Sequence, residues 1–112
     1  MIGFHDSLLN RFLREGNDVV LELESASVER DGGMALESGT LRIRSATEVL
    51  EDGRPVETPS LPFEYGRVLE LSWRTQPVLL LVEWQTFSPR TRRYAEYTIA
   101  GAESVWIPSV PV

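Results

Sequence analysis

The sequence predicts one all-β domain with a single short N-terminal helix, built as an antiparallel β-sandwich or a partly open β-barrel of about six strands. Three observations lead there. The chain has 112 residues, the usual size of a single core and too short for two, so residues 1–112 are read as one domain. From Val19 onward apolar residues recur with a period of two, the spacing of strands that bury one face. One long proline-bearing connection divides the strand runs, as a Greek-key crossover does.

The helix is expected at the start, where Asp6 or Ser7 caps it, Leu8, Leu9, Phe12 and Leu13 recur at i, i+1, i+4 and i+5, and Gly16 offers a left-handed stop. A first strand alternates Val19, Leu21 and Leu23 against Val20, Glu22 and Glu24. A second alternates Leu41 and Ile43 against Arg42 and Arg44. Pairing them about Gly33 sets Glu24 opposite Arg42, Glu22 opposite Arg44 and Leu23 opposite Ile43, which satisfies both faces at once. The connection from Glu29 to Ser38 is then longer than a tight hairpin needs. Glu51-Asp52-Gly53 ends the second strand, and Pro55, Pro59 and Pro62 argue against regular structure before Gly66. This stretch is either the crossover or a binding loop.

A three-stranded meander follows. Leu69, Leu71 and Trp73 fall opposite Val82, Leu80 and Val78 around the turn Arg74-Thr75-Gln76-Pro77. A turn at Pro89 and Arg90 then sets Trp84 opposite Tyr97 and Val82 opposite Ile99. Trp84 is expected in the core with Val82, Leu71 and Tyr97. A last short strand, Val105-Trp106-Ile107, precedes Pro108 and Pro111, which remove ladder donors.

Composition excludes much chemistry. With no cysteine there is no disulfide, no thiolate nucleophile, no Cys-ligated zinc and no iron–sulfur cluster. All 11 basic residues are arginine, so lysine Schiff bases and the P-loop lysine are absent too. One histidine and no Asp-x-Asp-x-Asn-Gly loop give no metal site, and Gly32-Gly33 is no phosphate cradle. No cofactor or metal is expected. The net charge of -6 repels phosphate backbones and anionic lipid, so neither nucleic acid nor membrane is an expected partner. The first residues form no secretory signal and the aliphatic run Val78–Val82 is far too short to span a bilayer, which makes the cytoplasm the expected location.

Candidate sites are few. His5-Asp6-Ser7 contains the residue types of a hydrolase triad, but neighbours on one backbone point apart, and a helix cap explains them. Glu22 with Glu24, and Glu70, Glu83 and Glu96 across the meander, are candidate acid pairs. Glu83 stands out because it lies between Val82 and Trp84 on the most apolar strand, where burial raises a carboxylate pKa, with Val68 and Thr98 as cross-strand neighbours. Arg90, Arg92 and Arg93 cluster at a hairpin tip with Phe87 and Tyr94 at its base, the composition of an interface hot spot. Leu61, Phe63 and Tyr65 on the proline loop form a second candidate surface.

The opening His5-Asp6-Ser7 and the strand Val82-Glu83-Trp84 resemble a loose group of small uncharacterised bacterial β-rich proteins, some of them described as immunity proteins that neutralise polymorphic toxins. That resemblance touches about ten residues, roughly a tenth of the chain, and implies a binding protein. Every reaction class considered lacks an obligatory residue type. The reading is therefore a non-enzymatic interaction domain that meets a protein partner of acidic surface through Arg90, Arg92, Arg93, Phe63 and Tyr65. The alternative is a half-open barrel holding a small molecule near Glu83, Trp84 and Tyr97.

Overall fold

Among the residues that the computed structural model describes, 2–59, 64–87 and 89–109, the chain forms ten strands and no helix. They are β1 (Ile2–Gly3), β2 (Leu8–Glu15), β3 (Asp18–Arg30), β4 (Gly33–Arg44), β5 (Glu48–Glu51), β6 (Arg54–Pro55), β7 (Tyr65–Ser72), β8 (Val78–Phe87), β9 (Arg90–Ala100) and β10 (Glu103–Pro108). All ten belong to one antiparallel sheet, nine of them in the order β10-β4-β3-β2-β7-β8-β9-β5-β6, while β1 continues the line of β2 along β3. Tight turns drive the pairing. Asp31 and Gly32 have φ of 46° and 82°, and Asp52 and Gly53 have 50° and 84°, the two consecutive left-handed residues of a type I′ hairpin. Gly16, at φ 62°, opens the turn between β2 and β3.

The sheet is open, yet it rolls onto itself. β4 and β10 stand at one end of the order, and β9 and β5 near the other. Only Ser45-Ala46-Thr47 joins β4 to β5, and only Gly101-Ala102 joins β9 to β10. Chain this short cannot cross the breadth of a flat sheet. The two ends therefore meet at these short links, where Thr47 N–H donates to Ala100 O in continuation of the β5–β9 ladder and Ala102 N–H donates to Arg44 O in continuation of the β10–β4 ladder, both at 2.8 Å. Inside the roll Leu21, Leu23, Leu41 and Ile43 pack with Val68, Leu80, Val82, Tyr97 and Ile99, all of them essentially inaccessible to solvent.

The expected helix is a strand. Leu9 is buried, Asn10 and Arg11 are both exposed, and Phe12 turns partly inward again. A register shift between Leu9 and Arg11 inserts the extra outward residue. Such a bulge gives a strand an inward spacing of three, which on paper looks like one helical turn. The strand count exceeds six for a related reason. Asp52-Gly53 reverses the chain into β6 instead of ending regular structure, and β1 is a separate short strand.

Three registers differ from expectation. In β3–β4, Arg42 lies opposite Val20, Ile43 opposite Val19, and Leu23 opposite Gly39. This is a four-residue displacement, produced by a turn at Asp31-Gly32 instead of Gly33 and by a bulge at Glu24-Ser25, where Ser25 has φ 63°. The strands simply run on through Glu29 to Ser38. Arg42 instead holds Asp18 and Glu15, each at 2.8 Å, Arg44 lies 3.4 Å from Glu103, and Glu22 lies 3.7 Å from Arg11. In β8–β9, Trp84 faces Arg93, Val82 faces Ala95 and Leu80 faces Tyr97, again displaced by four. An even displacement leaves every face unchanged, so the inward residues are the ones that alternation predicts. In β7–β8, Leu71 faces Leu80 as expected, but a bulge after Val68 sets Val68, not Leu69, opposite Val82. The last strand extends beyond Val105–Ile107, and Pro108 sits on it at the sheet edge, where proline is tolerated.

Two tryptophans lie over glycines. Trp84 covers Gly66, its direct partner, and Trp106 covers Gly39. A Cβ on Gly39 would stand 2.6 Å from the backbone oxygen of Ile107, which no side-chain rotation relieves. Gly39→Ala is thus expected to cost about 1–3 kcal/mol in chemical denaturation. Gly3→Ala, whose Cβ would have only an ordinary 4.0 Å contact with Ser27, is the control and should cost nothing. Equal stability of the two variants would show that Trp106 and β10 do not seat on Gly39.

Candidate functional site

Strand alternation sorts the candidate residues onto two faces. Along β8, Val78, Leu80, Val82 and Trp84 point into the roll, so Leu79, Leu81, Glu83, Gln85 and Phe87 point out. The register carries Arg90, Arg92, Tyr94 and Glu96 of β9, and Tyr65, Arg67 and Glu70 of β7, onto that same outer face. Arg93 is on the opposite face, across from Trp84, where its guanidinium lies 4.0 Å from Asp52 in the β5–β6 turn. The arginine trio is therefore two plus one. Tyr65 joins the pair Arg90 and Arg92, whereas Phe63, like Leu61, lies outside the described residues.

At one end of the outer face Tyr65 and Phe87 stack, with ring centroids 5.1 Å apart and planes 30° apart. Tyr65 donates its hydroxyl to Gln85 Oε1 at 2.7 Å. Beside them Gln85, Arg90, Thr91 and Arg92 line an open depression of about 370 Å³. Phe87 is 63% and Tyr94 55% exposed. Among the described residues neither Arg90 nor Arg92 has a carboxylate within ion-pair distance.

The centre of the face is a closed polar cluster. Glu83, only 3% exposed, accepts from Gln85 Nε2 at 2.6 Å and lies 3.6 Å from Arg67, which also holds Asp6 at 2.6 Å. The Tyr94 hydroxyl and the Arg67 guanidinium hold the Glu83 carboxyl below its ordinary range and outweigh the opposing effect of burial. The raised pKa expected from the sequence is thus reversed. Its cross-strand neighbours are Arg67 and Tyr94, not Val68 and Thr98, because the β7 bulge and the β8–β9 displacement change both partners. Asp6 and His5 also lie in a turn beside β7, not at a helix cap: Asp6 N–H donates to Val68 O, and His5 Nδ1 is 2.8 Å from Leu69 O.

Trp84 and Tyr97 belong to a different environment, inside the roll. The indole N–H donates to the Tyr97 hydroxyl at 2.9 Å, and that hydroxyl donates to Glu51 Oε2 at 2.6 Å. Burial, followed by the neighbouring Glu51 carboxylate, drives the Tyr97 phenol far above its ordinary range. It remains a neutral donor. Phe12 packs against its ring at 5.1 Å. Glu83 points away from this relay, so the three residues grouped by the sequence do not share one cavity.

Beyond the polar cluster the outer face turns acidic and apolar. Glu70, Leu81 and Glu96 form one row across β7, β8 and β9, and with Leu79 they line a shallow depression of about 120 Å³. Sequence reasoning misses Arg67, Gln85 and Glu51. Alternation back from Phe87 reaches Gln85, but the bulge after Val68 breaks the pattern that leads to Arg67, and Glu51 reads as a strand-ending residue. Among the described residues no cluster of His, Asp and Glu is placed to hold a metal. No protein-family model matches the chain, and no curated protein or solved structure is similar enough to count as a match.

Two outcomes test this geometry. Tyr97→Phe removes an acceptor from Trp84 and a donor from buried Glu51, and should cost about 1–3 kcal/mol in denaturant titration; a neutral result would mean that the relay is not formed. For Glu83 the folded-state pKa lies below the ordinary 4.5, so its contribution is present above that pH and is lost as pH falls through the folded value. The stability lost in Glu83→Gln should accordingly be greatest at neutral pH and shrink on acidification below 4.5. A difference that widens in acid would contradict the assignment.

Proposed function

We propose that the chain is a non-enzymatic protein-interaction domain that receives an acidic partner surface on the outer face of β7, β8 and β9. The observation that carries this reading is the exposure of Phe87 and Tyr94 beside Arg90 and Arg92, of which Arg92 acts on Glu83 only at longer range, on a chain of net charge -6. Solvent-facing aromatics next to arginine are the usual anchors of protein interfaces. A local reversal of sign steers an oppositely charged partner and sets its orientation. The central cluster of Arg67, Glu83, Gln85 and Tyr94 supports the reading further, because fixed side chains lose little freedom on binding.

The small-molecule alternative has less support. Tyr97 is fully buried, and its hydroxyl is engaged by both Trp84 and Glu51. The resemblance to small bacterial proteins that include toxin-neutralising immunity proteins agrees with a binding role, and the arginine face is the surface such a role would use.

The test is comparative capture. The wild-type chain and an Arg90→Ser/Arg92→Ser variant are immobilised, and proteins retained from an extract of the source cells are compared at low and raised salt. Both positions are exposed, so the melting temperature should be unchanged. An acidic protein held by the wild type at low salt should be lost from the variant. Identical retention by the two, with identical salt dependence, would overturn the assignment.

A further inference from the structure

The outer face of the meander is polar along its length in a way that makes it complementary to itself. Its central row is Arg67, Glu83 and Tyr94. Two residues towards the hairpin tip lies the row of Gln85 with Arg92, and two residues the other way lies the row of Leu81 with Glu96. A further two residues reach Phe87 in one direction and Leu79 in the other, both of them exposed apolar side chains, at 63% and 46%. Cationic and acidic rows thus stand at equal distances, about 7 Å, on either side of the centre, and the two apolar side chains at equal distances, about 13 Å.

Equal spacing about a centre is the requirement for a two-fold interface, in which one patch meets its own copy. An axis that lies between two stacked sheets and runs across the strands along the Glu83–Tyr94 row reverses the order of the rows and keeps β9 over β9. Arg92 then faces Glu96 of the second copy, Glu96 faces Arg92 of the second copy, and each Phe87 covers a Leu79. Tyr94 meets Tyr94 at the centre. The axis brings two charged groups of that row, Glu83 and Arg67, beside their own copies; they are of opposite sign and lie 3.6 Å apart within each sheet, and Glu83 is covered as well.

Building on the interaction face argued above, we propose that its occupant is a second copy of this chain, stacked face to face through β7, β8 and β9 as an antiparallel, charge-matched homodimer. The acidic surface that Arg92 recognises is the Glu96 end of the same face. Because three strands present a narrow patch, about 14 Å across, the association belongs to the small-interface class, and it is reversible and sensitive to salt.

Sedimentation equilibrium of the full chain over a concentration series reaching about 500 μM, where small interfaces become populated, tests this. The wild type should move from monomer to dimer along the series, at lower concentration in low salt. Arg92→Glu and Glu96→Arg each place like charges opposite one another twice per dimer, and each variant alone should dissociate at least tenfold more readily. An equimolar mixture of the two should associate again, because the carboxylate introduced in one chain then faces the native carboxylate's replacement, a guanidinium, in the other. This recovery also shows that both variants are folded. A wild type that stays monomeric throughout, a dimer that neither variant weakens, or a mixture that fails to recover would each overturn the proposal. If the wild type is monomeric while Arg90→Ser/Arg92→Ser still loses a captured acidic protein, the second copy is excluded and the interaction face stands. If that variant also captures as the wild type does, both fall together.

Discussion

An antiparallel sheet with one apolar face gains little from the hydrophobic effect while it stays flat, so the structure depends on the corner at which this sheet turns back on itself. That corner brings Gly101 against β4. A Cβ there would stand 2.7 Å from Ile43 Cγ2 and 2.8 Å from the Arg44 carbonyl oxygen, so only glycine admits the approach. Arg42 braces the same region through Asp18, whose other carboxylate oxygen accepts from the Ser45 backbone at 3.0 Å. Arg42 and the Ser45 amide hold the Asp18 carboxyl below its ordinary range. Ion pairs near the surface are screened by solvent and add little stability on their own. Their importance is geometric: with the corner closed, Leu21, Leu41 and Ile43 meet Leu80, Tyr97 and Ile99 across the interior.

Much of the fold was legible in the sequence because period two survives everything except a bulge. The inward sets of β3, β4, β8 and β9 follow from alternation alone, and four-residue errors in two registers leave them intact, since the error is even. The bulges are what alternation cannot show. At Leu9–Arg11 the extra residue imitates a helical repeat, at Ser25 it displaces the pairing of Arg42, and after Val68 it moves Leu69 out of the core line. Each depends on what the neighbouring strand accepts. Asp31-Gly32 and Asp52-Gly53, in contrast, carry a direct local signal for a hairpin, and reading them by that rule recovers both the β3–β4 turn and the β5–β6 hairpin.

The candidate site was legible in the same proportion. Proximity in sequence grouped Arg90, Arg92 and Arg93, and Glu83 with Trp84, but a strand sends neighbours to opposite faces. Alternation separates Arg93 from the pair and Glu83 from the buried Trp84–Tyr97–Glu51 relay. What it assembles in their place spans three strands: Tyr65 over Phe87, and Arg67 with Tyr94 around Glu83. Contacts of that kind depend on register across β7, β8 and β9, so a two- or four-residue error that leaves the core untouched rewrites the outer surface.

The two faces of β8 are nevertheless coupled. Trp84 is fixed from inside by Tyr97 and by its seat on Gly66, where a Cβ would come within 2.9 Å of the indole. Its neighbours in sequence, Glu83 and Gln85, are fixed from outside by Arg67, Tyr94 and Tyr65. Backbone between residues anchored on both sides has little freedom to twist, and the outward side chains that flank it, Phe87 and Arg92 towards one end and half-buried Leu81 and exposed Leu79 towards the other, are held at set distances along the strand. A surface with set spacings can discriminate a partner by matching spacing as well as charge. The polar cluster at the centre of the meander is thus the point at which packing in the core becomes geometry at the surface.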